Sequence, residues 1–482
     1  MNPFSNAWHT RREFFTRGRN LLGSAALASL LPAESVRASK SNSHLPLPHF
    51  LPKAKRVIYL HMVGGPSQID LFDYKPGMKD WYDKELPESI RNGQRLTTMT
   101  SKQKRFPIAP SQYDFRQMGE CGMWMNENLL PHLAKKADKI CWMKSLHTEA
   151  INHEPAIAAM QTGNQVPGKP CLGSWASYGL GSDNQNLPAF VVLVATPSNR
   201  EQEQAISSRL WGAGFLPGQH AGVSFRSSGD PILFINNPAG VSADIRRQSI
   251  QGLNALNQLN YQRLQDPETL TRIQQYEMAF RMQSSVPELT DIQSEPDHIY
   301  ELYGEDAKKP GSFAYTALMA RRLAERGVRF IQVYHNNWDH HSAVQRRMPA
   351  QCKDIDRPCY ALLEDLEQRG MLDDTLVIWG GEFGRTIYTQ GRLTPTSYGR
   401  DHHPRCFTMW MAGGGSRGGQ IYGETDDFSY NIVKDPIHIR DFHATILHLM
   451  GFDHERFSYK FQGLDQKLTG VEHAKVIQSL IG

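Results

Sequence analysis

Continuous apolar runs that end in polar or glycine-rich loops recur along this chain. The first covers residues 56–63 and ends in Gly64 and Gly65, and similar runs cover 138–143 and 189–194. Strands that are buried on both faces have such continuous runs, whereas half-exposed strands alternate between apolar and polar residues. The pattern therefore predicts three buried central strands.

The C-terminal third alternates between helical patterns and further apolar runs. Helical spacing is found over 314–326, about 350–370 and 441–450, and apolar runs cover 327–334, 375–379 and 407–412. Strands that alternate with helices predict an α/β fold, here with a largely parallel central sheet sandwiched between helices. In sheets of this kind, ligands bind at the carboxyl ends of the strands.

Residues 53–482 are predicted to form one large domain with this sheet. Within it, residues from about 200 to 310 are rich in Gln and Asn and helical in pattern, which predicts a helical insertion or cap. Residues 39–52 are rich in Ser, Pro and His and are interpreted as a linker.

The N-terminus resembles a twin-arginine export signal. The motif Thr10-Arg11-Arg12-Glu13-Phe14-Phe15 precedes a weakly apolar stretch over 21–31, and Val36-Arg37-Ala38 offers a cleavage site. The stretch is too short to span a bilayer, which needs about 20 apolar residues, so no stable membrane anchor is expected. We expect residues 1–38 to be a signal peptide read by the twin-arginine export machinery, with a periplasmic or extracellular product. The alternative is an amphipathic first helix with incidental arginines.

Composition and charge narrow the classes of partner. The net charge of +4 is small for 482 residues, so no nucleic-acid partner is expected. The six cysteines include no Cys-x-x-Cys pair, which argues against a cysteine zinc site. The 19 histidines are more informative, because several cluster near carboxylates.

Polar clusters lie in the loops next to the predicted strands of the C-terminal third. Six residues in these loops are candidate metal ligands: Asp339, His341, Glu382, Asp401, His402 and His403. Mixed carboxylate and imidazole ligands suit a divalent metal such as Zn or Mn, or Ca where oxygen dominates. Taken singly, each cluster could instead be a helix cap with surface histidines, and Glu382 could be a structural ion-pair partner of Arg385.

Several of these segments resemble a known superfamily. Residues 366–384 resemble the late strand of sulfatases and related phosphodiesterases, with Glu382 at the position of a ligand Asp and Phe383 where a second ligand would be. Residues 440–451 resemble the closing helix of the same superfamily. Together with Gly-Gly-Pro-Ser at 64–67, Trp-Asp-His-His at 338–341 and Gly-Arg-Asp-His-His-Pro at 399–404, the chain looks like the bacterial family called domain of unknown function 1501. The resemblance implies an alkaline phosphatase-like fold.

A further match concerns residues 153–163, which keep the Pro and the Thr-Gly of the sulfatase nucleophile motif. The resemblance places His153 at the nucleophile position, so its implied role is nucleophile, general base or additional ligand. A helix N-terminus there would favour phosphate or sulfate. Arg385 or Arg400 could neutralise an anionic substrate, since a guanidinium matches its oxygens. The alternative is that Asn152 or His153 only caps the helix.

Departures from the superfamily pattern leave two functions open. The chain has no cysteine in a formylglycine context and no Ser or Thr at the nucleophile position, and Gly64 and Gly65 stand where acidic ligands are usual. One hypothesis is an exported, metal-dependent hydrolase of phosphate or sulfate esters, acting on a small-molecule or polysaccharide ester. The other is a catalytically degenerate relative that binds an anionic ligand or a polysaccharide.

Overall fold

The computed structural model describes residues 48–482, except residues 202, 227–229, 233–234 and 239. The predicted signal peptide over 1–38 and the linker up to residue 47 therefore lie outside the described residues. The described end of the predicted linker contacts the domain, because the backbone N–H groups of His49 and Phe50 donate to the carbonyl of Gly451.

Seventeen strands are found in the described part of the chain. They are β1 Arg56–Met62, β2 Arg116–Met118, β3 Met123–Met125, β4 Ile140–His147, β5 Phe190–Ala195, β6 Val223–Phe225, β7 Phe330–His335, β8 Thr375–Gly380, β9 Gly384–Thr389, β10 Arg400–His403, β11 Phe407–Ala412, β12 Ile421–Tyr422, β13 Glu424–Thr425, β14 Ile432–Lys434, β15 Ile437–His438, β16 Tyr459–Phe461 and β17 Leu464–Gln466.

The helices are α1 Gln68–Leu71, α2 Glu88–Arg91, α3 His153–Thr162, α4 Leu172–Leu180, α5 Ala243–Leu264, α6 Pro267–Thr290, α7 Asp297–Tyr303, α8 Phe313–Glu325, α9 Val344–Gln368 and α10 Ile439–Leu449. Short 3-10 helices cover Pro76–Trp81, Leu133–Lys139, Ser208–Trp211, Gly218–His220, Ile292–Ser294, Glu305–Lys308, Leu372–Asp374 and Gln478–Leu480. Among the residues that the structure describes, no helix combines the length and the apolar character that crossing a membrane requires.

The central sheet has nine strands in the order β12-β4-β11-β8-β1-β7-β5-β6, with β15 beside β4. Strand β11 runs antiparallel to both of its neighbours, and the other pairings of this sheet are parallel. The predicted α/β class with a largely parallel sheet is confirmed.

Helices cover both faces of the sheet. Alternate residues of β7, Phe330 and Tyr334, belong to the core cluster that contains Trp175 of α4 and Ile446 of α10. The intervening residues point to the other face, because successive side chains of a strand alternate. Helix α8 contacts β5 and β7 without belonging to that cluster, so it covers the second face.

The described chain divides into two compact units. The smaller unit begins beyond residue 234, ends at Ser284, and contains α5 and most of α6. Within it, the side-chain amide of Asn254 donates to Glu277 across the two helices, at 3.1 Å. The larger unit takes the remaining described residues and includes both ends of the range 200–310 that the sequence predicts to be an insertion.

The strand ends of the larger unit define one polar edge of the sheet. In the pairing register, Met62 of β1 lies beside His335 of β7, and His61 lies beside Gly380 of β8. Because β11 is antiparallel, its first residue, Phe407, lies at the same edge, beside Leu146 of β4. The loops after β1, β4, β7 and β8 and the segment before β11 therefore meet at this edge.

Candidate metal centre

Four side chains converge at this edge in a group that could hold a metal ion: His153, Asp339, His341 and His402. Their ligand atoms all lie within 4.8 Å of one another, and this is the one such group among the described residues. His153 is the first residue of α3, Asp339 and His341 follow β7, and His402 lies in β10. Distant parts of the chain thus supply the four groups.

Two glycines allow the loops to approach closely enough to form this group. Gly64 has a φ of +115°, and a Cβ atom there would lie 2.5 Å from the backbone nitrogen of Asp339. A Cβ atom on Gly399 would lie 1.7 Å from the carbonyl oxygen of His341. Any larger residue at either position would push apart the segments that carry the candidate ligands.

The three imidazoles have the same orientation relative to the centre of the group. Each Nδ1 lies against an oxygen acceptor: Glu382 Oε1 at 2.6 Å for His153, Gln390 Oε1 at 2.5 Å for His341, and the carbonyl of Ile151 at 2.8 Å for His402. Each Nε2 faces the carboxylate of Asp339, at 3.2, 2.8 and 3.4 Å respectively. An acceptor behind Nδ1 orients the ring and leaves Nε2 free to bind a metal.

The surroundings of His402 suit a bound cation. Burial lowers the pKa of His402 to about 4, against the opposing influence of Asp339, so the ring is neutral at pH 7. A neutral imidazole carries one N–H, yet both nitrogens of His402 face oxygen acceptors. One of these contacts therefore pairs two acceptors unless a cation lies between them. The Nε2 of His153 is also buried without a hydrogen-bond partner.

The donor set fits a transition-metal ion. Around a tetrahedral zinc with bonds of about 2.1 Å, neighbouring ligand atoms lie about 3.4 Å apart. Asp339 Oδ1 lies 2.8 and 3.4 Å from the Nε2 atoms of His341 and His402, and Oδ2 lies 3.2 Å from that of His153, so these contacts are at or below this spacing. Three imidazole nitrogens with one carboxylate favour Zn or Mn over Ca, which prefers oxygen ligands.

Charge at the centre is concentrated on Asp339. Burial would raise the pKa of its carboxyl, but the Arg385 guanidinium and the close contacts with the three histidines hold this pKa far below its usual range. The Arg385 Nη2 lies 2.7 Å from Asp339 Oδ1. Asp339 is therefore ionised at any ordinary pH, as a metal ligand must be.

Glu382 lies behind His153 and outside the four-residue group. Both of its carboxylate oxygens accept from the backbone N–H of Gly64, at 2.9 and 3.2 Å. Burial opposes ionisation, yet the hydrogen bonds with His153 and His61 lower the pKa of Glu382 to about 2. An ionised carboxylate behind a histidine that faces a metal is a common arrangement, because it fixes the ring and increases its basicity.

Three contributors were missed by reasoning from the sequence. His61 lies 3.5 Å from Glu382 Oε2, and its signal is a polar residue inside the otherwise apolar run of β1. The side-chain amide of Gln204 donates to Asp339 Oδ2 at 2.9 Å, and Gln390 accepts from His341. Neither glutamine is distinguishable in the sequence, because both lie in polar loops.

Besides Glu382, two more of the predicted ligands, Asp401 and His403, lie outside the group. The Asp401 carboxylate accepts from the hydroxyls of Thr97 and Thr100, both at 2.5 Å. The His403 Nε2 donates to the carbonyl of Tyr430 at 2.7 Å, and its ring stacks on the Tyr430 ring. These contacts account for both side chains without a metal.

Neither predicted arginine has its donors directed to an open site. The five N–H groups of Arg400 are occupied by Asp70 and by the carbonyls of Ala109, Thr386 and Ile387. Arg385 donates to Asp339 and to the carbonyls of Gly64, Gly65 and Arg400. Arg385 therefore braces the candidate ligand Asp339, and Arg400 anchors the start of β10.

Replacing Arg400 with Met should destabilise the protein by about 3–5 kcal/mol, because it leaves the fully buried Asp70 carboxylate without its partner. Urea unfolding measures the change. Asp70→Asn added to Arg400→Met should recover part of the loss, since no uncompensated charge then remains. If Arg400→Met keeps its stability but loses anion binding, Arg400 belongs to the site after all.

Comparison with solved structures finds distant similarities. An alkaline phosphatase from the Antarctic bacterium TAB5 is 12% identical, with 83% of this chain and 99% of that chain covered and a TM-score of 0.34. A protein in the alkaline phosphatase superfamily from Vibrio parahaemolyticus is 11% identical, with coverages of 89% and 75% and a TM-score of 0.35. A Pseudoalteromonas sulfatase is 13% identical, with coverages of 86% and 71% and a TM-score of 0.33. Similarities this distant assign no function.

Comparison with curated protein sequences finds no match. One family model, described as "Protein of unknown function (DUF1501)", matches residues 54–481, which include all of the candidate site. The match covers almost the whole described chain and agrees with the resemblance carried by the motifs at 64–67, 338–341 and 399–404. This chain belongs to the DUF1501 family.

Proposed function

We propose that this protein is a metal-dependent hydrolase of phosphate or sulfate esters. The observation that carries the proposal is the convergence of three oriented imidazoles on the ionised Asp339, at the carboxyl edge of a parallel sheet. A metal bound by His153, Asp339, His341 and His402 would supply Lewis-acid polarisation of an ester oxygen. The motif resemblance to sulfatases and phosphodiesterases supports the choice of ester.

The N-terminus of α3 supports an anionic substrate. Asn152 occupies the N-cap position, but its side chain makes no capping hydrogen bond. The backbone N–H groups of the first turn are therefore left without this partner, next to His153, and they favour a negative charge. This would help to hold the oxygens of a phosphate or sulfate group beside the candidate metal ligands.

His153 is assigned as a ligand rather than as the attacking group. Its Nδ1 is committed to Glu382 at 2.6 Å, and its Nε2 faces Asp339 within the four-residue group. A nitrogen used for a metal is not available for attack on an ester. The proposal therefore assigns attack to water, with Glu382 holding the His153 ring in place.

Export through the twin-arginine pathway to the periplasm or beyond is part of the proposal. It rests on Arg11-Arg12, the weakly apolar stretch at 21–31 and the cleavage site at Ala38. Twin-arginine signals are addresses read by a receptor, not anchors. This route suits a protein that folds and loads its metal before crossing.

A binding protein without turnover is the second candidate. It is favoured by Phe383, which is buried at a position where relatives carry a ligand, and by the lack of a hydroxyl nucleophile at position 153. Such a protein would hold an anionic ligand or polysaccharide at the same edge.

Measured turnover of ester substrates distinguishes the hydrolase from the binding protein. Mature protein loaded with Zn or Mn should hydrolyse at least one of an aryl phosphate monoester, an aryl phosphodiester and an aryl sulfate. EDTA should remove the activity, and added metal should restore it. His402→Ala protein prepared in the same way controls for contaminating hydrolases. Equal rates for the two preparations on all three substrates would favour the binding protein.

A further inference from the structure

Residues 196–201 follow β5 and contact one face of α9, and residues 203 and 204 lie near the candidate metal centre. The backbone N–H of Ser198 donates to Asp354, and the carbonyl of Asn199 accepts from Gln351 and Asn337. Further along, Gln204 donates to Asp339 Oδ2. The segment therefore ends at a candidate metal ligand.

Arg347, in the first turn of α9, contacts this segment through Glu201 and has hydrogen-bond donors without a partner. Its Nη2 lies 2.7 Å from Glu201 Oε2, and its side chain is only 11% exposed. Its Nε and Nη1 are buried and have no hydrogen-bond partner. Buried donors without partners are costly, and they normally indicate a water, an ion or a ligand.

His340 is a second unpartnered group, between the candidate ligands Asp339 and His341. It is buried, and neither ring nitrogen has a hydrogen-bond partner. Neither nitrogen of His340 therefore accepts a hydrogen bond from the buried Nε or Nη1 of Arg347.

Glu201 is the ion-pair partner of Arg347. Its carboxylate is shared with Arg346, which is 63% exposed and contacts it at 2.8 and 3.1 Å. The contacts with Arg346, and the charge of Arg347, lower the pKa of Glu201 below its usual range. A second anion of similar shape could replace this carboxylate on a guanidinium fork.

We infer that Arg347 is an anion-binding residue that takes a tetrahedral oxyanion, phosphate or sulfate, in exchange for Glu201. The inference deepens the proposed function and rests on it for the choice of anion. It gives the substrate a positive partner in addition to Arg385, which donates four hydrogen bonds within the protein, and Arg400, which donates five.

Calorimetric titration of inorganic phosphate and sulfate into mature protein tests the inference at constant ionic strength. Arg347→Ala should weaken anion binding by about tenfold or more, as expected for charge-assisted hydrogen bonds. Arg346→Ala is the matched control, because it removes the same charge from the same partner but leaves the buried donors, and it should change affinity by less than about threefold. Glu201→Gln should strengthen binding, since it removes the competing charge.

Titrations with and without metal distinguish the two possible sources of the anion. If phosphate still binds after the metal is removed, and this binding depends on Arg347, then Arg347 belongs to a subsite for a second acidic group of the substrate. If binding requires both the metal and Arg347, then Arg347 contacts the acidic group that lies next to the metal. Equal effects of Arg346→Ala and Arg347→Ala, or weaker binding by Glu201→Gln, would overturn the inference. Ester turnover is measured separately, so an inactive protein that binds phosphate through Arg347 refutes only the proposed hydrolase.

Discussion

Replacing His402 with Ala should strip the protein of its metal, whereas replacing its neighbour His403 should not. A structural zinc site contributes about 10–16 kcal/mol of binding free energy, so one of four donors is worth roughly 3 kcal/mol. The expected loss is more than about 100-fold in metal affinity. Elemental analysis of purified protein and competition with a chromogenic chelator give stoichiometry and affinity.

The two histidines differ because adjacent residues of a strand point to opposite faces. In β10, His402 reaches Asp339, whereas His403 packs on Tyr430 and donates to its carbonyl. His403→Gln should therefore lower the melting temperature and leave one metal ion per chain. Asp401→Ala should behave in the same way, because its carboxylate is held by Thr97 and Thr100. Metal loss in His403→Gln with retention in His402→Ala would exclude this assignment.

Much of the sheet was predictable because its strands are continuous apolar runs. The run at 375–379 became β8, Thr375–Gly380, and the run at 407–412 became β11, Phe407–Ala412. The antiparallel direction of β11 was not predictable in this way. The chain returns to the sheet through the β9–β10 hairpin rather than through a crossover helix, and the length of the intervening segment does not distinguish the two.

The loops of the candidate site were predictable, but the selection of residues within them was not. Asp401, His402 and His403 are consecutive, and their directions depend on an irregularity in the β10–β9 register between Arg400 and His402. Sequence spacing cannot reveal such an irregularity, because it depends on pairing with a distant strand. In the same way, Glu382 follows β8 as predicted, yet its contact with His153 depends on where α3 begins.

The sequence was also insufficient to select the anion-binding arginine. A guanidinium near a polar loop suggests anion binding, but Arg385 and Arg400 donate their hydrogen bonds to backbone carbonyls and buried carboxylates. Arg347 lies in a helical segment with no motif, and only the burial of its free donors distinguishes it. Satisfaction of donors is a property of the folded structure, so it cannot be deduced from residue types.

Replacing His153 with Ala should lower both metal affinity and turnover, and the size of each change identifies the role of the residue. If His153 is a ligand, its replacement should lower metal affinity about 100-fold, by the same reasoning as for His402. As a nucleophile, it would lose turnover by orders of magnitude while the metal stays bound. As a helix cap alone, it would cost about 1 kcal/mol of stability with little change at the site.

Glu382→Gln is the matched comparison, because it keeps the shape behind His153 and removes the charge. The amide oxygen can still accept from His153 Nδ1, so the ring should stay in place, but it becomes a weaker donor to the metal. Loss of such a partner typically costs about 10–100-fold in metal affinity, so this variant should lie between the wild type and His153→Ala. Turnover is then measured at saturating metal, together with metal affinity and melting temperature. A folded His153→Ala protein that keeps its metal affinity would remove His153 from the ligand set, and a Glu382→Gln protein weaker in metal than His153→Ala would make Glu382 itself the ligand.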